Sequence, residues 1–183
     1  MVEQIYTEMK NNMDKTIAYY QSELSKIRTG RASVTMLDSV SVDYYGTMQP
    51  LKNIAHISVP ESQMILITPF DPSSIEIIES AITSSDLGMN PNNDGNVIRL
   101  SVPALTEERR KEIIKHVHKI IEEGRVSIRN IRRDVNDRVK KMKDEGLSED
   151  NVKRALDNIQ ETTDNSIKKL NSIAESKEKE ILS

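Results

Sequence analysis

All six prolines of this 183-residue chain fall between Pro50 and Pro103. Proline lacks the backbone N–H and its ring collides with the preceding turn, so it interrupts helix interiors. The two flanks are therefore free to run as long helices, whereas the middle is confined to short elements.

The flanks use that freedom. From Val2 to about Thr29, apolar residues recur at Val2, Ile5, Met9, Met13, Ile17, Tyr20, Leu24 and Ile27. Steps of three and four place them on one side of a helix, and Gly30 is expected to close it. Met9 and Met13 read as core filler. A second helix is predicted from the N-cap Thr106, with Glu107 and Glu108 in its first turn, to about Glu145. Its stripe is Ile113, Val117, Ile120, Gly124, Ile128, Ile131, Val135 and Met142, and its length is about 60 Å. Gly146 ends it. A third helix starts at Ser148 and uses Val152, Leu156, Ile159, Ile167, Leu170 and Ile173.

No such stripe can be buried alone. The short Gly146-Leu147 connection makes the second and third helices antiparallel neighbours, and the first helix completes an elongated antiparallel three-helix bundle from residues 1–30 and 105–183. Residues 31–104 form an inserted domain of another character. Val40, Val42 and Tyr44 alternate, while Met64–Ile67 and Val97–Leu100 are short apolar runs bounded by Gly46, Pro60, Pro69 and Asp94-Gly95. Asp71-Pro72 opens a short amphipathic helix carrying Ile75, Ile78 and Ile82. The fold class is α+β. Two crossings, Gly30-Arg31 and Pro103-Ala104, join insert to bundle and make a hinge, because few contacts need to break there.

The charge map points to a polyanion partner. Formal net charge is only −3, yet residues 124–143 hold eight cations against Asp134 and Asp137, a local balance of +6, while residues 31–105 sum to −5. Within the basic stretch Arg125, Arg129, Arg132 and Arg133 share roughly a 100° arc of the helix, centred about 130° from the apolar stripe. The guanidinium fork matches phosphate oxygens and keeps its charge at neutral pH. A solvated helix surface is the bland alternative for any charge run.

Other chemistries lack their parts. The chain has no Trp and one Phe, too few aromatics for a base-stacking platform. Without Cys there are no disulfides or thiolate metal sites. No Gly-rich loop with a following Lys-Ser/Thr is present to bind nucleotide. His116 and His118 stand about 200° apart around a helix and cannot share a metal, and His56 lies alone among strand residues. Asp134 and Asp137 are expected to pair along the helix with Arg138 and Lys141. Tyr44-Tyr45-Gly46 reads as packing beside a turn, with an exposed contact as its alternative. No cofactor, no metal and no catalytic residue are expected. The segment Met1–Ile5 lacks signal-peptide features and no apolar run suffices for a membrane span, so a cytoplasmic protein with no membrane contact is the expectation; a monomer is expected as well.

Three functional classes stay open on these residues alone. One is RNA binding through the arginines. Another is a helical adaptor or chaperone whose bundle grips protein partners, which predicts exposed apolar patches. The last is an enzyme sited in the insert, which needs a pocket of convergent polar groups that the sequence does not offer.

Five blocks carry a family resemblance: Ile27-Arg28-Thr29-Gly30-Arg31-Ala32, Val42-Asp43-Tyr44-Tyr45-Gly46, Asp86-Leu87-Gly88-Met89-Asn90-Pro91-Asn92, Leu105–Lys111 and Ile128-Arg129-Asn130-Ile131-Arg132-Arg133-Asp134. In order and spacing the whole chain resembles the bacterial ribosome recycling factors, departing at Met89, Ser127 and Val135, none of them in the arginine stripe. The resemblance implies an L-shaped arrangement of a three-helix bundle and a smaller β/α/β domain. It implies a non-enzymatic translation factor that binds the post-termination ribosome. With elongation factor G, and GTP bound by that partner, such a factor splits the ribosome into subunits and frees messenger and deacylated transfer RNA. It also implies contacts to large-subunit ribosomal RNA by Arg28, Arg31, Arg129 and Arg132; Arg133 joins them because it flanks the same face.

Overall fold

In a computed structural model the described residues are 2–183. Met1, the first residue of the N-terminal segment read above, lies outside them. The chain divides into two compact units, one comprising residues 1–29 and 107–183, the other residues 30–106.

The first unit is a bundle of α1 (Val2–Ser25), α4 (Glu107–Asp144) and α5 (Glu149–Leu182). Cross-helix contacts give the directions. Glu8 meets Arg138 while Tyr20 meets Ser127, so α1 opposes α4. Thr29 meets Glu180 while Asp14 meets Lys169, so α1 and α5 run in parallel. The α4–α5 reversal is a Schellman ending: Leu147 N–H donates to Met142 O at 3.0 Å, Gly146 N–H donates to Lys143 O at 3.2 Å, and Gly146 takes φ +104°. Ser148 then caps α5 by accepting from the Asn151 N–H at 3.3 Å.

The helices occupy their predicted places, with three differences. First, α1 stops at Ser25, not near Thr29; a turn from Ile27 N–H to Leu24 O follows, and Gly30 comes too late to cap the helix. Its positive φ of +76° serves a close approach instead, since a Cβ there would lie 2.7 Å from Leu105 Cγ. Second, α4 buries Ile121 and Val139, whereas Ile120 and Ile131 are only partly buried. Ile120 and Ile121 stand on opposite flanks of the stripe, and the flank turned toward α5 wins. Third, α5 buries small residues, Ala155, Thr163, Ser166 and Ala174, where Leu156, Ile167 and Ile173 were expected. Thr163 returns its hydroxyl proton to Ile159 O at 2.7 Å, and the Ser166 hydroxyl reaches Met13 Sδ at 3.5 Å, so neither polar group is buried unpaired. Buried positions along α5 therefore step 3-4-4-3-4-4 from Val152 to Ala174, near 3.67 per turn, a spacing that does not demand the left-handed supercoil of a heptad.

The bundle helices approach closely at Gly124. A Cβ there would sit 3.2 Å from the Tyr20 ring and 3.3 Å from Leu170 Cδ1, so glycine lets three helices meet.

The second unit holds the hairpin β1 (Ser41–Tyr44) and β2 (Thr47–Pro50), the turn α2 (Leu51–Ile54), strands β3 (Ala55–Glu61) and β4 (Met64–Pro69), helix α3 (Ile75–Ser84), and strands β5 (Pro91–Asn93) and β6 (Ile98–Ser101). Single 3-10 turns cover Val34–Leu37 and Pro72–Ser74. The four-stranded sheet has the order β3-β4-β6-β5 and is antiparallel throughout. Alternation along β4 buries Ile65 and Ile67 in a core shared with Ile78 and Ile82 of α3 and with Ile98 and Leu100 of β6. At the β1–β2 turn both Tyr45 and Gly46 have positive φ, +50° and +82°, as the hairpin twist requires. Tyr44 packs on the core; Tyr45 is exposed and donates its hydroxyl to Asp71 Oδ2 at 3.2 Å.

Candidate nucleic-acid interface

The candidate interface is built on the α4 face that adjoins α5. Residues 125, 129, 132 and 133 share one side of an unbroken helix, and the antiparallel neighbour supplies the groups beside them. Each arginine has distinct surroundings.

Arg125 is mostly a structural element. Its Nε and Nη2 both donate to Asn171 Oδ1 of α5, at 3.0 and 2.7 Å, and its Nη1 donates to Glu122 Oε2 at 2.9 Å. Arg129 donates to the other oxygen of the same carboxylate at 3.1 Å. Hydrogen bonds from Arg125 and then from Arg129 hold the Glu122 carboxyl below the usual glutamate range, so this acid stays ionised among the arginines.

Arg132 differs. Its Nη1 donates to Gln160 Oε1 at 3.2 Å, a neutral amide, while its Nε is buried without a hydrogen-bond partner. Gln160 is itself oriented by donating to Asp164 Oδ1 at 2.8 Å. Among the described residues no ion pair neutralises Arg132 or the exposed Arg133. The face therefore has two arginines answered by one carboxylate, followed a turn later by two whose charge is uncompensated.

Arg28 and Arg31 are exposed and lie outside helices, Arg28 in the bundle unit and Arg31 in the insert unit. Pairing of Tyr20 with Ser127 and of Glu8 with Arg138 puts Arg28 level with about residue 119 of α4, on the order of 15 Å along the bundle from Arg129 at 1.5 Å per residue. It is not part of the α4 cluster. The crossing residues Gly30, Arg31, Pro103 and Ala104 all fall in the insert unit.

Two readings of the basic stretch change. Arg138 is drawn to Glu8 of α1 at 2.9 Å, and among the described residues no ion pair joins Asp134 to Arg138 or Asp137 to Lys141. A carboxylate on the neighbouring helix approaches from beyond the crowded helix surface and wins over one on the same helix. Glu122 lies just outside the basic stretch of residues 124–143. Its spacing, three before Arg125 and seven before Arg129, already places it on the same face.

Among the described residues no helix is long and apolar enough to cross a membrane. A family model described as "Ribosome recycling factor" matches residues 20–182. The chain is 50% identical over 183 residues to the ribosome-recycling factor of Desulfatibacillum aliphaticivorans, with 100% of this chain and 99% of the relative covered. It is 46% identical to that of Bacillus subtilis, again over 100% of this chain and 99% of the relative. Among solved structures, a solution structure of the ribosome recycling factor superposes with TM-score 0.73 at 43% identity, covering 99% of this chain and 97% of that one. A second, described as models for the T. thermophilus ribosome recycling factor and the E. coli elongation factor G bound to the E. coli post-termination complex, gives TM-score 0.64 at 42% identity, with 100% of each chain covered. With a three-helix bundle, an inserted antiparallel sheet and relatives matched along their whole length, this chain belongs to the ribosome recycling factor family.

Proposed function

We propose that this protein binds the post-termination ribosome through the α4 arginines and, with elongation factor G and its GTP, separates the subunits. The observation that carries the RNA contact is the uncompensated charge of Arg132, held at the α4–α5 seam by Gln160 and by no carboxylate. A phosphate oxygen offers that guanidinium the charge-assisted bonds the protein withholds. Arg133 and Arg129 extend the contact along the helix, and Arg28 and Arg31 contribute outside it. The similar structure that combines a recycling factor, elongation factor G and a post-termination complex supports both partners.

The mechanism needs no chemistry from this chain. The bundle acts as a lever anchored on large-subunit RNA. Elongation factor G pushes on the acidic insert, and the crossings at Gly30-Arg31 and Pro103-Ala104 flex, so that the bundle is driven against contacts holding the subunits together. The protein works as a cytoplasmic monomer.

Binding through phosphates releases counterions, so affinity falls with salt and is indifferent to base identity. Light scattering of purified post-termination ribosomes, with elongation factor G and GTP, measures splitting directly. The wild-type chain is expected to lower the signal, and Arg132→Ala to weaken ribosome binding while the helical circular dichroism is retained. Unchanged affinity of Arg132→Ala across a salt series would remove that residue from the interface. Normal splitting by a chain with stiffened crossings would remove the hinge.

A further inference from the structure

On the bundle, α5 has a second flank, turned away from the arginines and toward α1. There the two parallel helices leave an open groove of about 930 Å³. Its composition is unlike the rest of this acid-rich chain. Three lysines, Lys10, Lys168 and Lys169, line it against one acid, Asp14, and the remaining polar lining is hydroxyl and amide, as in Thr162, Asn165 and Ser172. The one pair across the groove, Lys169 Nζ to Asp14 Oδ1, is loose at 3.9 Å. Among the described residues Lys10 and Lys168 form no ion pair. The nearby α5 acids Asp164 and Glu178 are engaged elsewhere, with Gln160 and His118.

We infer that this groove is a second nucleic-acid contact, taking the sugar-phosphate backbone of an RNA strand. Lysine heads, hydroxyls and side-chain amides are the groups that contact phosphate and ribose without reading bases. Core packing does not account for them, because the lysines lie at the groove's open side. A protein helix seated there would need a continuous apolar floor, and the groove offers mainly Ile17 and Ile173. The inference rests on the proposed ribosome binding and extends it: the bundle is held from two sides, by arginines on the α4–α5 face and by lysines on the α1–α5 face. Two separated anchors resist rotation about the bundle axis, which a lever must do to transmit a push.

The test measures binding of the full-length protein to purified large ribosomal subunits over a potassium chloride series. Three forms are compared: wild type, the triple variant Lys10→Ala/Lys168→Ala/Lys169→Ala, and Arg132→Ala. The triple variant is expected to weaken binding and to make the plot of log affinity against log salt shallower by about two, given roughly 0.7 per lost phosphate contact on single-stranded RNA. Replacing the same lysines by arginine should restore the slope. Hydroxyl-radical footprinting should show one protected RNA segment lost in the lysine variant and a different one lost in Arg132→Ala. If Arg132→Ala binds weakly but the lysine variant keeps wild-type affinity and slope, this inference falls and the proposed function stands. If neither variant alters binding, the RNA-binding reading itself falls. Loss of a protein partner's binding with an unchanged RNA footprint would also overturn the groove assignment, and a triple Lys→Glu variant, expected to abolish the second footprint, provides a check should the alanine form be unstable.

Discussion

Arg129 Nη1 donates to Glu122 Oε1 at 3.1 Å across two turns of α4, and the same carboxylate holds Arg125 at 2.9 Å. One acid thus engages two arginines of the face proposed to bind phosphate. Glu122→Gln removes the competing charge while keeping the side chain's shape. Ribosome binding should tighten several-fold and show a steeper salt dependence, measured by equilibrium binding at two or more salt concentrations. Weaker binding would mean that Glu122 positions the arginines more than it competes for them.

Arg125 and Arg133 should separate stability from function. Arg125 makes two bonds to Asn171 and is the less exposed, so Arg125→Ala should cost about 1 kcal/mol in a urea titration. Exposed Arg133 should cost almost nothing when truncated yet reduce ribosome affinity. Equal stability losses would contradict the structural assignment of Arg125.

Gly124 allows α1, α4 and α5 to meet. Alanine ordinarily gains about 1 kcal/mol over glycine inside a helix. Here the Tyr20 ring that must yield is tied by its hydroxyl to Ser127 at 3.3 Å and lies edge-on to Tyr19. Gly124→Ala should therefore fail to stabilise, and Gly124→Val should lower stability by roughly 1–3 kcal/mol through overpacking. A raised melting temperature for the valine form would show that the helices separate freely.

At Gly30 a side chain meets two penalties, a left-handed backbone and Leu105 Cγ at 2.7 Å. Gly30→Ala should destabilise by about 1–2 kcal/mol from the backbone conformation alone. Native-state hydrogen exchange should place the loss in the insert unit, which contains both residues.

Asp94 sets a pH dependence for the insert. Its carboxylate accepts from the Val97 and Asn96 N–H groups and from Arg99, which together lower its pKa to about 2. Because the folded value lies below the unfolded one, its stabilising contribution is complete above the ordinary aspartate range and disappears as pH falls toward 2. Urea titrations from pH 6 to pH 2.5 should show part of the acid sensitivity removed by Asp94→Asn. An unchanged pH profile would show that the turn does not depend on this charge.

Periodicity alone determined the helix count of the bundle and the α+β class, because one stripe per helix needs a partner and prolines confine the middle to short elements. Strands β4 and β6 and the helix after Asp71-Pro72 were legible for the same reason, being bounded by turn residues. The hairpin partner β2 and the edge strands β3 and β5 were not, since Thr47–Pro50 and Pro91–Asn93 carry little apolar alternation and depend on their neighbours for pairing. The arginine face was visible as an arc of charge on one helix. Which groups the α4 arginines meet on other helices was not, because Asn171, Gln160 and Glu8 lie 46, 28 and 130 residues from the arginines they meet. The choice of Ile121 over Ile120, and of small residues for the α5 core, was likewise decided by where α1 and α5 sit against α4. A helical stripe fixes the side that is buried, whereas its edges and its polar partners depend on the neighbour that arrives from far along the chain.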